Sequence, residues 1–454
     1  MNDNVSTNST DQDEKLDFKK ILPVFVIVLI DLLGLTIIIP LLPFYATSFG
    51  ASPFVIGLLG ATYPILQFFG APLLGRLSDR YGRRPILIIS QIGTLAGFIL
   101  LGFANTLWLL FVARAIDGIS GANIATAQAV ITDSTTPKTR TQGLGLIGAA
   151  FGLGFIVGPI IAFATLAASG NNYQLVAFVA GGFSIFSILL TWFLLEETLP
   201  PEKRGPNTIG EKAFSFGTMA AALRRPQIGI LLGLMFFQQF AFAGLQQLLA
   251  LFTLTRLGMD ATSNAALFTY VGIIVVVVQG GLIGRWSKRF GDRRLILMGL
   301  LVLGVGLLMT ATTLPVPVPW YSQEAVTAEL SVGQALPGET PPVQDIQVDL
   351  PDGTSTGWLG LIWLMVAMIP AAVGGGVLQP SINSLLTRRS KETEVGGILG
   401  ISAAFLSGAN ALAPLVLAAL FQWIGPSAPF MAGAVILFIL WPFAKRGITA
   451  DYHT

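Results

Sequence analysis

Three ionisable side chains lie deep within long apolar segments of the chain: Asp31, Arg114 and Asp117. A charge at the centre of a membrane helix costs roughly 2.5–3.5 kcal/mol, so each of the three needs a partner or a function. Asp31 has no basic neighbour in its own segment, and binding a proton is the simplest way to neutralise it. Asp31 is therefore a candidate proton carrier.

Other interpretations of the same three residues stay open. Arg114 and Asp117 are spaced i, i+3 and share one helix face, which allows a structural ion pair but also leaves Asp117 as a second candidate proton site. Asp31 could instead pair with Arg114, or face the lumen without a role. The only histidine is His453 in the tail, and there is no cysteine, so a proton-linked step must use carboxylates. No metal and no cofactor is predicted.

The segments around these residues are membrane spans by composition and length. The chain is 53% hydrophobic and only 11% charged, whereas soluble domains carry roughly 25% charged residues. A net charge of +2 gives no reason to expect a nucleic-acid partner. Stretches long enough for the ~30 Å hydrocarbon core predict an all-α integral membrane protein with twelve spans, at residues 21–43, 53–75, 86–104, 108–132, 142–168, 173–195, 227–255, 263–284, 294–313, 358–386, 394–420 and 426–444.

The basic residues predict the orientation. If both termini are cytoplasmic, 24 of the 26 lysines and arginines lie on the cytoplasmic side, and only Arg114 and Arg256 do not. This is the distribution that the positive-inside rule describes. Residues 314–357 would then be external, and they hold six acids and no lysine or arginine. We predict a multi-pass protein of a cell (inner) membrane, a disordered cytoplasmic tail at 1–20 and a second cytoplasmic tail at 445–454.

An internal repeat divides the chain into halves. GRLSDRYGRR at 75–84 recurs as GRWSKRFGDRR at 284–294, starting 209 residues later, and a second match, Ala150-Phe151 with Ala404-Phe405, is offset by 254. The difference is close to the 44 residues of 314–357, which we therefore interpret as an external insertion and expect to be an exposed, flexible flap. The predicted units are a six-helix bundle at 21–195, a cytoplasmic linker at 196–226 and a second six-helix bundle at 227–444. Such repeats are common in secondary transporters.

The loop GRLSDRYGRR resembles the signature loop of the major facilitator superfamily. The matching positions are Gly75, Leu77, Asp79, Arg80, Gly82, Arg83 and Arg84. In that family the loop is a cytoplasmic latch between the halves, and the resemblance implies the same role here, with Asp79 pairing with arginines or with a helix N-terminus. The second copy has Lys288 where Asp79 stands, so only the first latch is expected to carry an acid.

Further motifs narrow the resemblance to the drug:proton antiporters of this superfamily. Span one, IDLLGLTIIIPLLP at 30–43, looks like the first helix of the tetracycline-resistance branch, with Asp31 before Gly34 and a later Pro-x-x-Pro. Span four resembles the family's intramembrane-arginine motif through Arg114, Gly118 and Gly121. Span five, GAAFGLGFIVGP, resembles its antiporter motif at positions that include Gly154, Gly158 and Pro159. Some tetracycline exporters carry further intramembrane acids and a histidine in spans three, eight and nine, which have none here.

Uncharged polar residues supply candidates for the wall of a central cavity. They are Gln128, Gln238, Gln246, Gln379 and Asn383. The same groups could instead hydrogen-bond one helix to another.

Together these patterns predict a monomeric secondary transporter that exports small hydrophobic or cationic compounds in exchange for protons, with Asp31, Arg114 and Asp117 as the site of proton coupling and substrate binding. Uptake or facilitated diffusion of a sugar or other metabolite is the alternative, and a non-transporting membrane receptor is a third class. No enzyme is predicted, and because the chain has no G-x-x-x-x-G-K-[ST] loop, we expect an ion gradient to supply the energy.

Overall fold

The computed structural model describes residues 18–136, 139–204, 216–331, 347–353, 355–390 and 395–448, and within these ranges it is all-α. The predicted tails and most of the predicted linker lie outside the described residues. The helices are α1 (Phe18–Ile38), α2 (Leu42–Thr47), α3 (Pro53–Tyr81), α4 (Arg83–Gly102), α5 (Leu107–Ser120), α6 (Asn123–Asp133), α7 (Arg140–Ser169), α8 (Tyr173–Leu194), α9 (Phe216–Leu223), α10 (Pro226–Leu257), α11 (Ala261–Val276), α12 (Ile283–Phe290), α13 (Asp292–Ala311), α14 (Gln323–Ser331), α15 (Leu359–Arg388), α16 (Val395–Trp423) and α17 (Ala428–Gly447).

Eleven stretches of the described residues are long and apolar enough to cross a membrane, and the twelfth predicted span, 108–132, is a broken helix. Its two parts, α5 and α6, meet at Gly121 and Ala122. Side chains from neighbouring helices bind the carbonyl groups at the end of α5: Gln67 donates to the Gly121 carbonyl at 2.9 Å, and Ser90 donates to that of Ser120. Since unsatisfied backbone groups are costly inside a membrane, these bonds make the break tolerable.

The eighth span is irregular as well. A π-helical segment, Val277–Leu282, joins α11 to α12. Gln279 in this segment donates to the Gly376 carbonyl of α15 at 3.3 Å, and its side-chain oxygen lies 3.2 Å from where a Cβ on Gly152 of α7 would be. π-helical turns often mark functional positions in helices. The irregular backbone of Val277–Leu282 thus lies where the eighth span approaches α7 of the other half.

The bundle has two distinct faces. We call the face that carries the loops at 75–84 and 284–294 the basic face, and the opposite face, which carries α14, the insertion face. The halves meet from the insertion face inward, through α3 against α16 and α7 against α11. Phe54 N–H donates to Gln422 at 2.8 Å, and Gly57 packs against Ala418. Nearer the basic face, α12 makes its main described helix contacts within its own half, with α13 and the segment Val277–Leu282. This conformation is therefore closed at the insertion face and parted toward the basic face.

The prediction that 314–357 is an exposed flap is wrong for α14, although surface positions such as Trp320 and Asp352 are exposed. Val326 and Leu330 of α14 are 5% and 1% exposed and belong to the main hydrophobic core. A backbone bond fastens the segment to α10 of the second half, because Val318 N–H donates to the Leu257 carbonyl at 2.9 Å. A second bond, from Gly357 N–H to the Pro317 carbonyl at 2.8 Å, joins the two ends of the segment to each other. The i, i+4 spacing of Val326 and Leu330 gives α14 an apolar stripe, and burying that stripe docks the helix.

Candidate functional site

Asp31 lies inside the first half, where amide side chains from two other helices hold it. Asn123, the first residue of α6, donates from its side chain to Asp31 Oδ2 at 2.6 Å. Gln91 of α4 lies 3.4 Å from the same oxygen and donates to Ser187 of α8 at 2.8 Å. The break between α5 and α6 thus places an amide donor, at the start of a helix, directly against the carboxyl group. These bonds fix its orientation.

Arg114 pairs with Asp117 rather than with Asp31. The distance from Arg114 Nη1 to Asp117 Oδ2 is 2.7 Å, and both side chains are buried. The Arg114 guanidinium also lies over the ring of Tyr63, with its carbon 4.6 Å from the ring centroid. Charge pairing and a cation–π contact together offset the burial of Arg114. The proposed ion pair between Asp31 and Arg114 is not formed in this conformation.

One small cavity joins the two acids. Its polar lining consists of Asp31, Tyr63, Thr94, Asp117 and Asn123, and the remaining wall is mostly aliphatic. The cavity measures about 20 Å³, which accommodates roughly one water molecule. It is therefore suited to a proton or a water molecule between the carboxyl groups, whereas a drug-sized compound is too large for it. Asp31 itself is partly exposed, so its carboxyl group can also be reached from outside this cavity.

The structure also identifies polar residues that sequence reasoning missed, namely Asn123, Gln91 and Tyr63. Each is buried and contacts a charged residue of the site. An uncharged amide or phenol within a span is a weak sequence signal, because its partner is set by packing between helices that are distant in the chain. The sequence signal for Asn123 is its position just after Gly121, because glycine favours a break in a helix and the residue after a break begins the next helix.

The other predicted cavity residues separate into two groups. Gln128 and Gln246 are partly exposed and Gln379 is exposed, so they remain candidates for the wall. Asn383 accepts from Ser402 of α16 at 3.2 Å, which links two helices of the second half. Gln238 is only 1% exposed and its side-chain nitrogen lies against Met235. The prediction that Gln238 lines a cavity is therefore not supported.

The antiporter-motif glycines form the contact between α7 and α1. Thr36 of α1 donates to the Gly154 carbonyl at 2.8 Å. A Cβ added at Gly158 would lie 2.1 Å from Thr36 Oγ1 and 2.9 Å from the Thr36 carbonyl carbon. Glycine is thus required at 158 for the two helices to approach so closely. Pro159, which is also buried, cannot donate a backbone hydrogen bond within α7 and so favours a bend there.

We predict that Gly158→Ala separates α1 from α7. An overpacked contact of this kind costs about 1–3 kcal/mol, so the detergent-extracted variant should melt several degrees lower than the wild type. Gly182→Ala is the matched control, because a Cβ at Gly182 in α8 would meet nothing within 4 Å. Equal melting temperatures for Gly158→Ala and the wild type would show that the contact is not tight.

The predicted latch loop is organised around Arg83. The distance from Arg83 Nη1 to Asp79 Oδ1 is 2.5 Å, and that from Arg83 Nε to Asp133 Oδ2 is 3.0 Å. The turn between α3 and α4 requires glycine at Gly82, where φ is 107°. Glu197, rather than Asp79, binds the N-terminus of α4, because its carboxylate accepts from Arg83 N–H at 2.9 Å. The chain just after α8 is thereby fastened to the latch loop.

The remaining latch residues lie at the surface of the same loop. Arg84 donates to the Trp192 carbonyl, and its guanidinium carbon is 5.8 Å from the centre of the Trp192 ring. Arg80 is exposed and stacks over Tyr81, and Gly75 faces open space. These residues make no described contact with the second half in this conformation, consistent with a parted basic face.

The second copy of the loop has opposite charges at two equivalent positions but different partners. Asp292 occupies the position equivalent to Arg83, and Lys288 that of Asp79. Asp292 is 2% exposed, accepts from Ser287 at 2.5 Å and from Ser384 at 2.6 Å, and lies 3.7 Å from Arg388. The second loop therefore carries a buried acid of its own, and the prediction that only the first latch carries one is wrong. The comparison of Lys288 with Asp79 did not consider Asp292, which lies four residues further along the chain.

Comparison with known proteins agrees with this architecture. The sequence profile of the Major Facilitator Superfamily matches residues 24–362. The chain belongs to the major facilitator superfamily. As a member of this superfamily it is a multi-pass membrane transporter, and its fold is that of twelve membrane helices in two bundles.

Relatives within the major facilitator superfamily include drug-resistance proteins. The chain is 27% identical over 404 residues to the class B tetracycline resistance protein of Escherichia coli, covering 87% of each chain. It is 32% identical over 292 residues to the class D protein of Salmonella ordonez, covering 63% of this chain and 72% of that one. The structure of the human organic anion transporter MFSD10 superposes with a TM-score of 0.63 at 23% identity and covers 94% of this chain and 99% of that one.

Proposed function

We propose that this transporter exports small hydrophobic or cationic compounds in exchange for protons by alternating access. The observation that carries the proposal is the cavity shared by Asp31 and Asp117. Because Arg114 is already paired with Asp117, the carboxyl group of Asp31 is the one intramembrane acid in the described residues whose bonding partners are all uncharged. Such a group can be neutralised either by a proton or by a cation.

Competition for Asp31 would couple the two movements. When the basic face is open, a substrate that binds at Asp31 displaces its proton, and the proton is released at the basic face. After the halves rock, a proton arriving from the opposite side displaces the substrate. Asn123 and Gln91 position the carboxyl group for both partners by donating hydrogen bonds to its oxygen. Asp117 is proposed to contribute by accepting the proton from Asp31 within the same cavity. Arg114 is proposed to contribute by holding Tyr63 in place.

The charge distribution of the halves favours neutral or cationic substrates. In the described residues, the membrane helices of the second half carry acidic and basic side chains only near their ends. The interior charges are therefore two acids and one base, all in the first half, which leaves a net negative site when both acids are ionised. An anionic substrate would meet repulsion from Asp31, whereas a cation would be attracted.

The lysines and arginines of the loops, rather than the interior charges, support an orientation in the membrane. We propose that the basic face is cytoplasmic, which places both termini inside a cell (inner) membrane and gives the observed conformation an opening toward the cytoplasm. Named relatives that confer tetracycline resistance support export as the direction of transport. A single chain contains both halves and the whole cavity, so we propose a monomer.

Transport by energised inside-out vesicles tests this function. The vesicles are acidified inside, and the uptake of a lipophilic cation, a neutral antibiotic, an organic anion and a sugar is followed with and without nigericin, which collapses the pH gradient. We expect uptake of the cation or the neutral antibiotic that nigericin abolishes. Gradient-independent equilibration of the sugar would instead identify a facilitator, and uptake of the anion alone would contradict the proposed substrate class.

A further inference from the structure

Glu329 of α14 connects the insertion to the opposite half of the transporter. The hydroxyl of Tyr173, the first residue of α8, donates to Glu329 Oε1 at 2.6 Å, and the side-chain amide of Asn171 donates to Glu329 Oε2 at 2.9 Å. Both donors belong to the first half, whereas α14 is fastened to the second half through Val318 and Leu257. The carboxyl group of Glu329 therefore bridges the halves at the insertion face.

Asn171 extends the bridge to a second element of the C-terminal half. Its Nδ2 lies 3.4 Å from Asp260 Oδ2, and its Oδ1 accepts from Thr262 at 2.5 Å. Asp260 in turn caps α11 by accepting from Ser263 N–H at 2.9 Å. Asn171 has a φ of 63° and is the one described non-glycine residue with a positive φ, a conformation that asparagine tolerates better than most residues. One strained turn thus binds both α11 and α14.

We propose that Glu329, Tyr173, Asn171 and Asp260 form an interdomain clasp that holds the insertion face closed and that must open in each transport cycle. Glu329 lies on the short helix of the insertion, and burial of that helix's apolar stripe fixes the position of the carboxyl group. α14 also packs against α2 of the first half, where the Tyr45 ring lies 5.6 Å from that of Tyr173. The insertion thus connects the two bundles at the insertion face, where they must separate for substrate to pass.

The clasp is expected to respond to pH on its own side of the membrane. The groups that face Glu329 are Tyr173 from α8 and Asp260 from the start of α11, with Tyr45 beyond them on α2, and Glu324 lies on the same helix. Burial first, and the Asp260 charge in addition, raise the pKa of Glu329 from 4.5 to about 6, against the opposing effect of the Tyr173 hydrogen bond.

The sign of the effect follows from this direction. Opening the face returns Glu329 to water, where its pKa falls back toward 4.5, so the closed state binds the proton more tightly than the open state. The closed state is therefore favoured most below about pH 4.5 and loses this advantage as the pH rises through 6. The ratio of closed to open transporter should fall by up to ~30-fold across this interval. External acid would keep the insertion face closed.

Distance measurements between spin labels test the clasp without substrate. Because the chain has no cysteine, Asn105→Cys in the first half and Thr312→Cys in the second can be labelled as a pair near the insertion face. In nanodiscs we expect the short-distance population to decrease between pH 4.5 and 7.5. Glu329→Gln, which cannot ionise, should lose most of this pH dependence, whereas Glu324→Gln, an exposed control on the same helix, should keep it.

Tyr173→Phe provides the second test, because it removes one hydrogen bond and leaves the ring. We expect it to raise the long-distance population at every pH. A pH response in Glu329→Gln equal to that in Glu324→Gln, or an unchanged distribution in Tyr173→Phe, would overturn the clasp. The measurement requires neither export nor proton coupling, so it can fail while the proposed function stands, and the reverse also holds.

Discussion

Replacing Asp31 by asparagine is expected to abolish concentrative transport while leaving exchange of substrate across the membrane. For one proton exchanged per neutral substrate, an imposed gradient of two pH units supports about 100-fold accumulation, or tenfold for each unit. Asparagine keeps the size of the side chain and can still bond to Asn123 and Gln91, but it carries no proton. Accumulation of a neutral substrate in the variant should therefore fall to about onefold, measured as radiolabelled substrate inside energised vesicles.

Counterflow, in which labelled substrate exchanges for unlabelled substrate without a gradient, is the control for folding and binding. It should persist in Asp31→Asn, and Asp352→Asn, at an exposed acid in the insertion, should accumulate substrate like the wild type. Full accumulation by Asp31→Asn would remove Asp31 from the coupling mechanism and leave Asp117 as the remaining intramembrane acid.

The second large effect is expected at Arg114. Arg114→Gln removes the positive partner of buried Asp117 and the cation that stacks on Tyr63. Breaking a buried ion pair from one side costs about 3–5 kcal/mol, because the remaining charge is left uncompensated. We expect a strong loss of folded protein after detergent extraction, measured by size-exclusion chromatography and thermal melting.

The double variant Arg114→Gln/Asp117→Asn separates charge from packing. If the uncompensated Asp117 carboxylate causes the defect, the double variant should recover most of the folded protein. A double variant as unstable as Arg114→Gln would instead assign the loss to the Tyr63 contact. The transport activity of the recovered protein then reports whether Asp117 also takes part in proton movement.

The positions of the spans were predictable from the sequence because a membrane imposes a length and a composition on every helix. The hydropathy of residues 108–132 predicts one span, yet the structure breaks it at Gly121 and Ala122. The break depends on Gln67 and Ser90, which bind the freed carbonyl groups from other helices. Such a partnership is a property of helix packing and is not visible in the local sequence.

The charged residues of the candidate site could be picked out from the sequence, but their hydrogen bonds and ion pairs could not. Buried charges are rare enough to be noticed, which is why Asp31, Arg114 and Asp117 were identified from the sequence. Whether Arg114 pairs with Asp117 or with Asp31 depends on geometry between helices, and the structure forms the first pair. The amide of Asn123 was missed because an uncharged polar residue in a span has several common roles.

The structure of the insertion was predicted wrongly because the prediction relied on its amino-acid composition and not on the spacing of its apolar residues. Its prolines, glycines and acids suggested a flap, whereas Val326 and Leu330, spaced i, i+4, are enough to dock α14 on the core. The docked helix brings Glu329 to Tyr173, which is the contact on which the proposed clasp depends. A short apolar stripe in an otherwise polar loop is therefore informative in a transporter of this family.

The most direct test of proton coupling at Asp31 is the proton released when substrate is added to inside-out vesicles that are acidic inside. The wild type should release protons in proportion to the substrate taken up, recorded with a pH-sensitive dye, and Asp31→Asn should release none. Substrate uptake by the wild type without proton release, or equal release by Asp31→Asn, would contradict the claim that this carboxyl group exchanges a proton for the substrate.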